Sequence, residues 1–226
     1  CRSSSVLGGL LRSPVCARDG GAALEVTPDG QLSPAVSGWP QATPCARNQN
    51  DTRDFCIYSD PKFANGRGIL MLTGPEHAEE VARFPPFADG GRELNAIPEL
   101  NAETSIKWHV EAVPGKGMGL VADRPLSVGD RIMVSTPSIM IDYDVFYQLS
   151  KENIMTLQAE GVNYLPERHR AIFLNLSTHD AADDFETRVD KIIHTNAFDL
   201  ENKGIVEVHD DDDRDSWYTV FPEISR

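Results

Sequence analysis

Polar and apolar positions alternate most regularly over residues 106–113, where Ile106, Trp108, Val110 and Ala112 interleave with Lys107, His109, Glu111 and Val113. A period of two belongs to a half-buried strand. Pro114-Gly115-Lys116-Gly117-Met118-Gly119 interrupts the pattern, because glycines reach backbone angles that a Cβ forbids. Leu120-Val121-Ala122 resumes a strand, residues 125–130 make a second turn, and a third strand opens at Arg131-Ile132-Met133-Val134-Ser135. Upstream, Phe55-Cys56-Ile57-Tyr58 and Ile69-Leu70-Met71-Leu72-Thr73 are strand-forming runs of aromatic, branched and apolar residues. Ser59-Asp60-Pro61 and the glycine-flanked Phe63-Ala64-Asn65-Gly66-Arg67-Gly68 connect them. Pro75 suits the first turn of a helix through about residue 84, with Glu76, Glu79 and Glu80 near its positive end, and Pro85-Pro86 stops it.

The period becomes helical from about residue 145 to 161, with Phe146, Leu149, Ile154 and Leu157 roughly on one face. Pro166-Glu167 starts a second helix through residue 176, in which Ile172, Phe173 and Leu176 are apolar. Asp183 or Asp184 caps a third, where Phe185, Val189, Ile192 and Ile193 fall at i, i+4, i+7 and i+8. Residues 1–53 are rich in Gly, Ser, Pro, Ala and Asn without sustained periodicity, and form an irregular, cysteine-containing segment. Residues 54–100 make a β-β-α leader and a Gly-, Asn- and Pro-containing linker.

Composition narrows the function classes. The chain of 226 residues is 40% hydrophobic and 25% charged, the balance of a soluble globular protein. A formal net charge of −14 argues against nucleic-acid binding, which needs a basic footprint. Acidity suits solubility, and it would also steer a basic, lysine-containing protein or peptide toward the surface. No apolar run approaches the roughly 18–20 residues of a membrane helix, so no membrane partner is expected. Cys1, Cys16, Cys45 and Cys56 all lie in the first quarter with no Cys-x-x-Cys pair. That spacing is poor for zinc and suits two disulfides in any of three connectivities. Cys1 in place of an initiator Met suits a processed secretory chain or a cut one. Asn50-Asp51-Thr52 and Asn175-Leu176-Ser177 are glycosylation triplets. The first sits in a polar loop; the second falls on the predicted helix among apolar residues and reads as a coincidence. Asp210-Asp211-Asp212-Asp213 lacks the Gly and terminal Glu of a calcium loop and reads as a solvated turn. No metal ligand set is assigned.

Lys116-Gly117-Met118-Gly119-Leu120, then Gly129-Asp130-Arg131-Ile132 and Pro137-Ser138-Ile139, resemble the opening of a SET domain, the protein-lysine methyltransferase fold. Alone, Gly-x-Gly marks no more than a hairpin turn. A second match adds weight: Asn196-Ala197-Phe198 followed by Tyr218-Thr219-Val220-Phe221-Pro222-Glu223-Ile224-Ser225 is similar to a segment of SET-and-MYND-type and related fungal SET proteins. Residues from Cys56 to Glu76 are similar to the leader of the fungal group. The resemblance covers roughly residues 54–226. It implies an α+β fold with SET-like short twisted β-sheets, in which residues 101–226 are the N-terminal part of the domain and 144–198 a helical insert. It implies S-adenosylmethionine as cofactor, with Lys116, Gly117, Met118, Gly119 and Asn196 against it; as a bare residue Asn196 is equally a helix C-cap. The family's Asn-His-x-Cys-x-Pro-Asn block and later catalytic Tyr do not occur up to Arg226, and Tyr143, Tyr147, Tyr164 and Tyr218 do not match that Tyr, so no catalytic residue is assigned and the chain itself is expected to be inactive. In the family's terms the compartment could be nucleus or cytoplasm. The contrasting expectation is a secreted, disulfide-tied binding module without enzymatic activity on a decayed SET scaffold.

Overall fold

The computed structural model describes residues 24–26, 32–34, 39, 41–47, 53–84, 87–88, 108–178, 181–182, 184–201 and 216–222. The fold is α+β with a mixed sheet. Its strands are β1 Leu24–Val26, β2 Leu32–Pro34, β3 Gln41–Arg47, β4 Asp54–Asp60, β5 Ile69–Thr73, β6 Trp108–Val113, β7 Gly117–Ala122, β8 Ile139–Asp142, β9 Ala197–Glu201 and β10 Ser216–Val220. Its helical segments are α1 Phe63–Gly66, α2 Pro75–Val81, α3 Tyr143–Gln148, α4 Lys151–Tyr164, α5 Glu167–Leu174 and α6 Phe185–Asn196. Six strands share one sheet in the order β3-β4-β5-β8-β10-β9, while β1-β2 and β6-β7 are separate two-stranded ribbons.

The continuous apolar runs of β4, β5 and β8 lie in the middle of the large sheet because each is buried on both faces. Alternate residues then face two cores. Ile57, Leu70, Leu72, Ile139, Ile141 and Val220 pack under α3 to α6, with Val145, Leu157, Phe173, Val189, Ile192 and Ile193. Cys56, Tyr58, Ile69, Met71, Met140 and Trp217 pack on the other side with Trp39, Phe63, Ala78 and Val81. β5 and β8 pair in parallel, Leu70 with Ile139, Met71 with Met140 and Leu72 with Ile141. Every other pairing in the sheet is antiparallel.

Three local expectations change. The segment read as irregular contributes β3, which pairs with β4 along the sheet edge. Pro44 concealed it: proline removes a ladder donor, and the register shift between Thr43 and Cys45 absorbs the defect. The helix expected over residues 145–161 is two helices. Leu149 is extended, and the Ser150 hydroxyl accepts from the Asn153 N–H to cap α4. The strand expected from Arg131 begins only at Ile139, where a run apolar on both sides meets β5; Pro137 breaks the approach. The connection before β5 turns through three consecutive left-handed residues, Ala64, Asn65 and Gly66, closed by Arg67 donating to the Ala64 carbonyl at 2.7 Å. Asp184 is the cap of α6, accepting from the Thr187 N–H at 2.8 Å.

Cys45 and Cys56 are register partners across β3 and β4 and form a disulfide buried in the second core. Cys1, Cys16, the Asn50 triplet and the run 210–213 lie outside the described residues. Closing a loop of sequence separation 11 restricts the unfolded chain. Replacing both cysteines by alanine is expected to cost about 2–4 kcal/mol and lower the urea midpoint. An unchanged midpoint would show that β3 is held by other contacts.

Candidate functional site

The β6–β7 hairpin carries the glycine-rich turn. Trp108, Val110 and Ala112 face Ala122, Leu120 and Met118 across it, which makes one face of the ribbon apolar. Neither core contains a residue of this hairpin, and Val110, Met118 and Leu120 are exposed, Met118 by 61%. At the turn the Lys116 N–H donates to the Val113 carbonyl at 2.9 Å, and Gly115 and Gly117 adopt positive φ. A Cβ on Gly117 would meet nothing within 4 Å, so its backbone lies open to any approaching group. Gly119 is favoured for a different reason: a Cβ there would stand 2.7 Å from Val113 Cγ2 across the hairpin, so the valine would have to shift. Lys116, Gly117 and Met118 are all exposed.

Asn196 ends α6 and is buried among helices. Its Nδ2 donates to the Ile192 carbonyl at 2.8 Å and to the Ser177 carbonyl at 2.9 Å. The side chain therefore closes its own helix and fastens the segment after α5 to it. These contacts lie in the helical layer, whereas Lys116 to Gly119 lie on the ribbon outside both cores. The five residues expected at the cofactor thus occupy two separate parts of the fold. Phe198, two residues on, is exposed and packs edge-on against Phe221 at 6.2 Å.

Sequence reasoning missed a buried polar cluster at the end of β8. Asp142 Oδ2 accepts from Thr73 Oγ1 at 2.6 Å and lies 2.7 Å from His77 Nδ1, while Oδ1 accepts from the Asp144 N–H at 2.9 Å and caps α3. One carboxylate so ties β5, α2, β8 and α3 together. The hydrogen bond to Asp142 raises the His77 pKa above its ordinary value of 6.5, against the opposing effect of burial. Beside it Tyr143 Oη donates to Asp199 Oδ1 at 2.6 Å, which pushes the phenol up to about 12 and keeps it a neutral donor. The Tyr143, Phe146 and Tyr218 rings pack nearly perpendicular in pairs, with centroids 5.6–6.1 Å apart. Burial raises the Tyr218 phenol, and Asp199 adds to the effect. Among the described residues, no group of three or more His, Cys, Asp or Glu could hold a metal ion. No helix of the described residues is long and apolar enough to cross a membrane.

Asp142→Ala would leave the Thr73 hydroxyl and the Asp144 N–H without their acceptor; a loss of about 3 kcal/mol in unfolding free energy, read from a urea melt, is expected. His77 gives a pH signature. Its folded pKa is raised, so its stabilisation is full below about 6.5 and is lost as pH rises through the folded value. The stability difference between wild type and His77→Gln should therefore shrink as pH rises above about 6.5 and through the raised folded value. A constant difference would show that His77 does not titrate with the fold.

Comparison of the chain with family models, with curated proteins and with solved structures gave no match in any of the three.

Proposed function

We propose that residues 101–226 form the N-terminal part of a SET-type domain, and that the protein they come from is an S-adenosylmethionine-dependent protein-lysine methyltransferase. The observation that carries this reading is the hairpin turn. No neighbour covers Gly117, and a Cβ at Gly119 would crowd the Val113 side chain, so a ligand can approach the exposed turn at Lys116 to Met118 closely. Such a surface fits a cofactor read by backbone contacts. Asn196 supports the reading differently, as an amide in the motif order the family shows, already fixed in orientation by two carbonyls.

S-adenosylmethionine would supply the activated methyl group, so the protein's task is to bind, align and exclude water. This chain's residues would contribute the turn at 116–118 and, once its Nδ2 is released from the Ser177 and Ile192 carbonyls and the two parts of the fold are brought to one ligand, Asn196. No described residue is assigned to orient the lysine amine. The net charge of −14 suits a basic, lysine-bearing peptide drawn in by long-range attraction.

A second reading, a secreted non-enzymatic binding module on a decayed SET scaffold, is favoured by one specific observation, the Cys45–Cys56 disulfide. Calorimetric titration of the full-length gene product with S-adenosylmethionine separates the two. Binding is expected, weakened at least about 10-fold in Asn196→Ala and in Gly117→Val, a difference of about 1.4 kcal/mol. Gly117→Val also places a branched residue at positive φ, at a strain of about 1–2 kcal/mol, so its folding must be checked by circular dichroism. Absence of binding by the folded, unmutated product would overturn the methyltransferase reading.

A further inference from the structure

We infer that Asn175 is the acceptor for an N-linked oligosaccharide. Asn175-Leu176-Ser177 has the required hydroxyl residue two places after the asparagine, with no proline between. The apolar sequence around it suggests a place on a buried helix, where a glycan could not be attached. The structure places it otherwise. α5 ends at Leu174, and Asn175 closes it with φ −94° and ψ 2°. The Asn175 N–H is taken up by the Ala171 and Ile172 carbonyls, and its side chain is exposed. Leu176 turns inward and joins the helical core, and Ser177 turns outward again.

The triplet is also held in place from behind. Asn196 Nδ2 donates to the Ser177 carbonyl, and the exposed Arg188 guanidinium donates to the Leu174 carbonyl at 2.7 Å. These bonds use backbone groups on either side of Asn175 and leave its side chain directed to solvent. A glycan there would displace no core residue. An independent observation points to the compartment where such transfer occurs. The Cys45–Cys56 disulfide is buried within the sheet, and disulfides of this structural kind persist in oxidising, secretory environments. The inference does not depend on whether the protein transfers methyl groups.

In the transfer step Asn175 Nδ2 bonds to the anomeric carbon of an oligosaccharide carried on a lipid pyrophosphate. The bond from that carbon to the pyrophosphate oxygen breaks, the amide nitrogen gives up one proton, and the lipid pyrophosphate leaves. No oxidant or reductant is needed.

The test is peptide mapping of the protein purified from its own cells, before and after treatment with peptide N-glycosidase in heavy-oxygen water. The expected result is a peptide containing position 175 that is seen only after treatment, with labelled aspartate at that position. Recovery of that peptide with unmodified Asn175 and no glycosylated counterpart would overturn the proposal. A parallel experiment secretes the chain from eukaryotic cells with Asn50→Gln, which removes the other triplet. One glycosidase-sensitive mobility step is expected, and both Asn175→Gln and Ser177→Ala should abolish it. Persistence of the step in either folded variant, or its absence from the secreted parent, would contradict the assignment.

Discussion

The parallel pairing of β5 with β8 is the constraint on which the rest of the structure depends. Three register pairs, Leu70–Ile139, Met71–Met140 and Leu72–Ile141, join segments separated by almost seventy residues of sequence. Without them the β3-β4-β5 meander and the β8-β10-β9 group would be two small sheets, each with an open edge. With them the sheet has two complete faces, and each face acquires a core that draws side chains from both halves. Backbone bonds extend the join: the Leu70 N–H donates to the Ser138 carbonyl at 2.9 Å, and the Ser138 N–H donates to the Val220 carbonyl at 3.0 Å.

Asp142 lies at the end of that join and serves both sides of it. Its carboxylate binds Thr73 at the end of β5, His77 in the first turns of α2, and the N-terminus of α3. A buried carboxylate is tolerated because both of its oxygens accept hydrogen bonds. The β6–β7 ribbon is built on the opposite principle. It satisfies its own ladder yet adds nothing to either core, and its glycines keep the turn backbone accessible. Under the proposed function the buried sheet would give support and the exposed ribbon would meet the ligand.

Strands β4 and β5 were legible because burial on two faces writes continuous apolar runs, as in Ile69 to Thr73, and helix α6 because Val189, Ile192 and Ile193 keep helical spacing. Other features were hidden by local chemistry. Pro44 disguised an edge strand, and Ser150 split one apparent helix into two by offering a cap. The partners of Asp142 lie 65 and 69 residues away, so nothing local marks it as more than the end of a strand. Gly117 was legible as a turn glycine, but the contact that favours Gly119 comes from Val113 across the hairpin. Asn196 was visible as a residue type; its grip on Ser177 is tertiary. The outward turn of Asn175 follows from where α5 stops, and apolar periodicity does not mark that point.

Native-state hydrogen exchange read by mass spectrometry tests most directly whether the β5–β8 pairing unites the fold. The account predicts that amides of β4, β5, β8 and β10 exchange in one slow process at the free energy of global unfolding, while those of the β6–β7 ribbon exchange earlier. If β8 and β10 instead open in a separate, faster step while β4 and β5 stay protected, the two halves are independent units and the central claim fails.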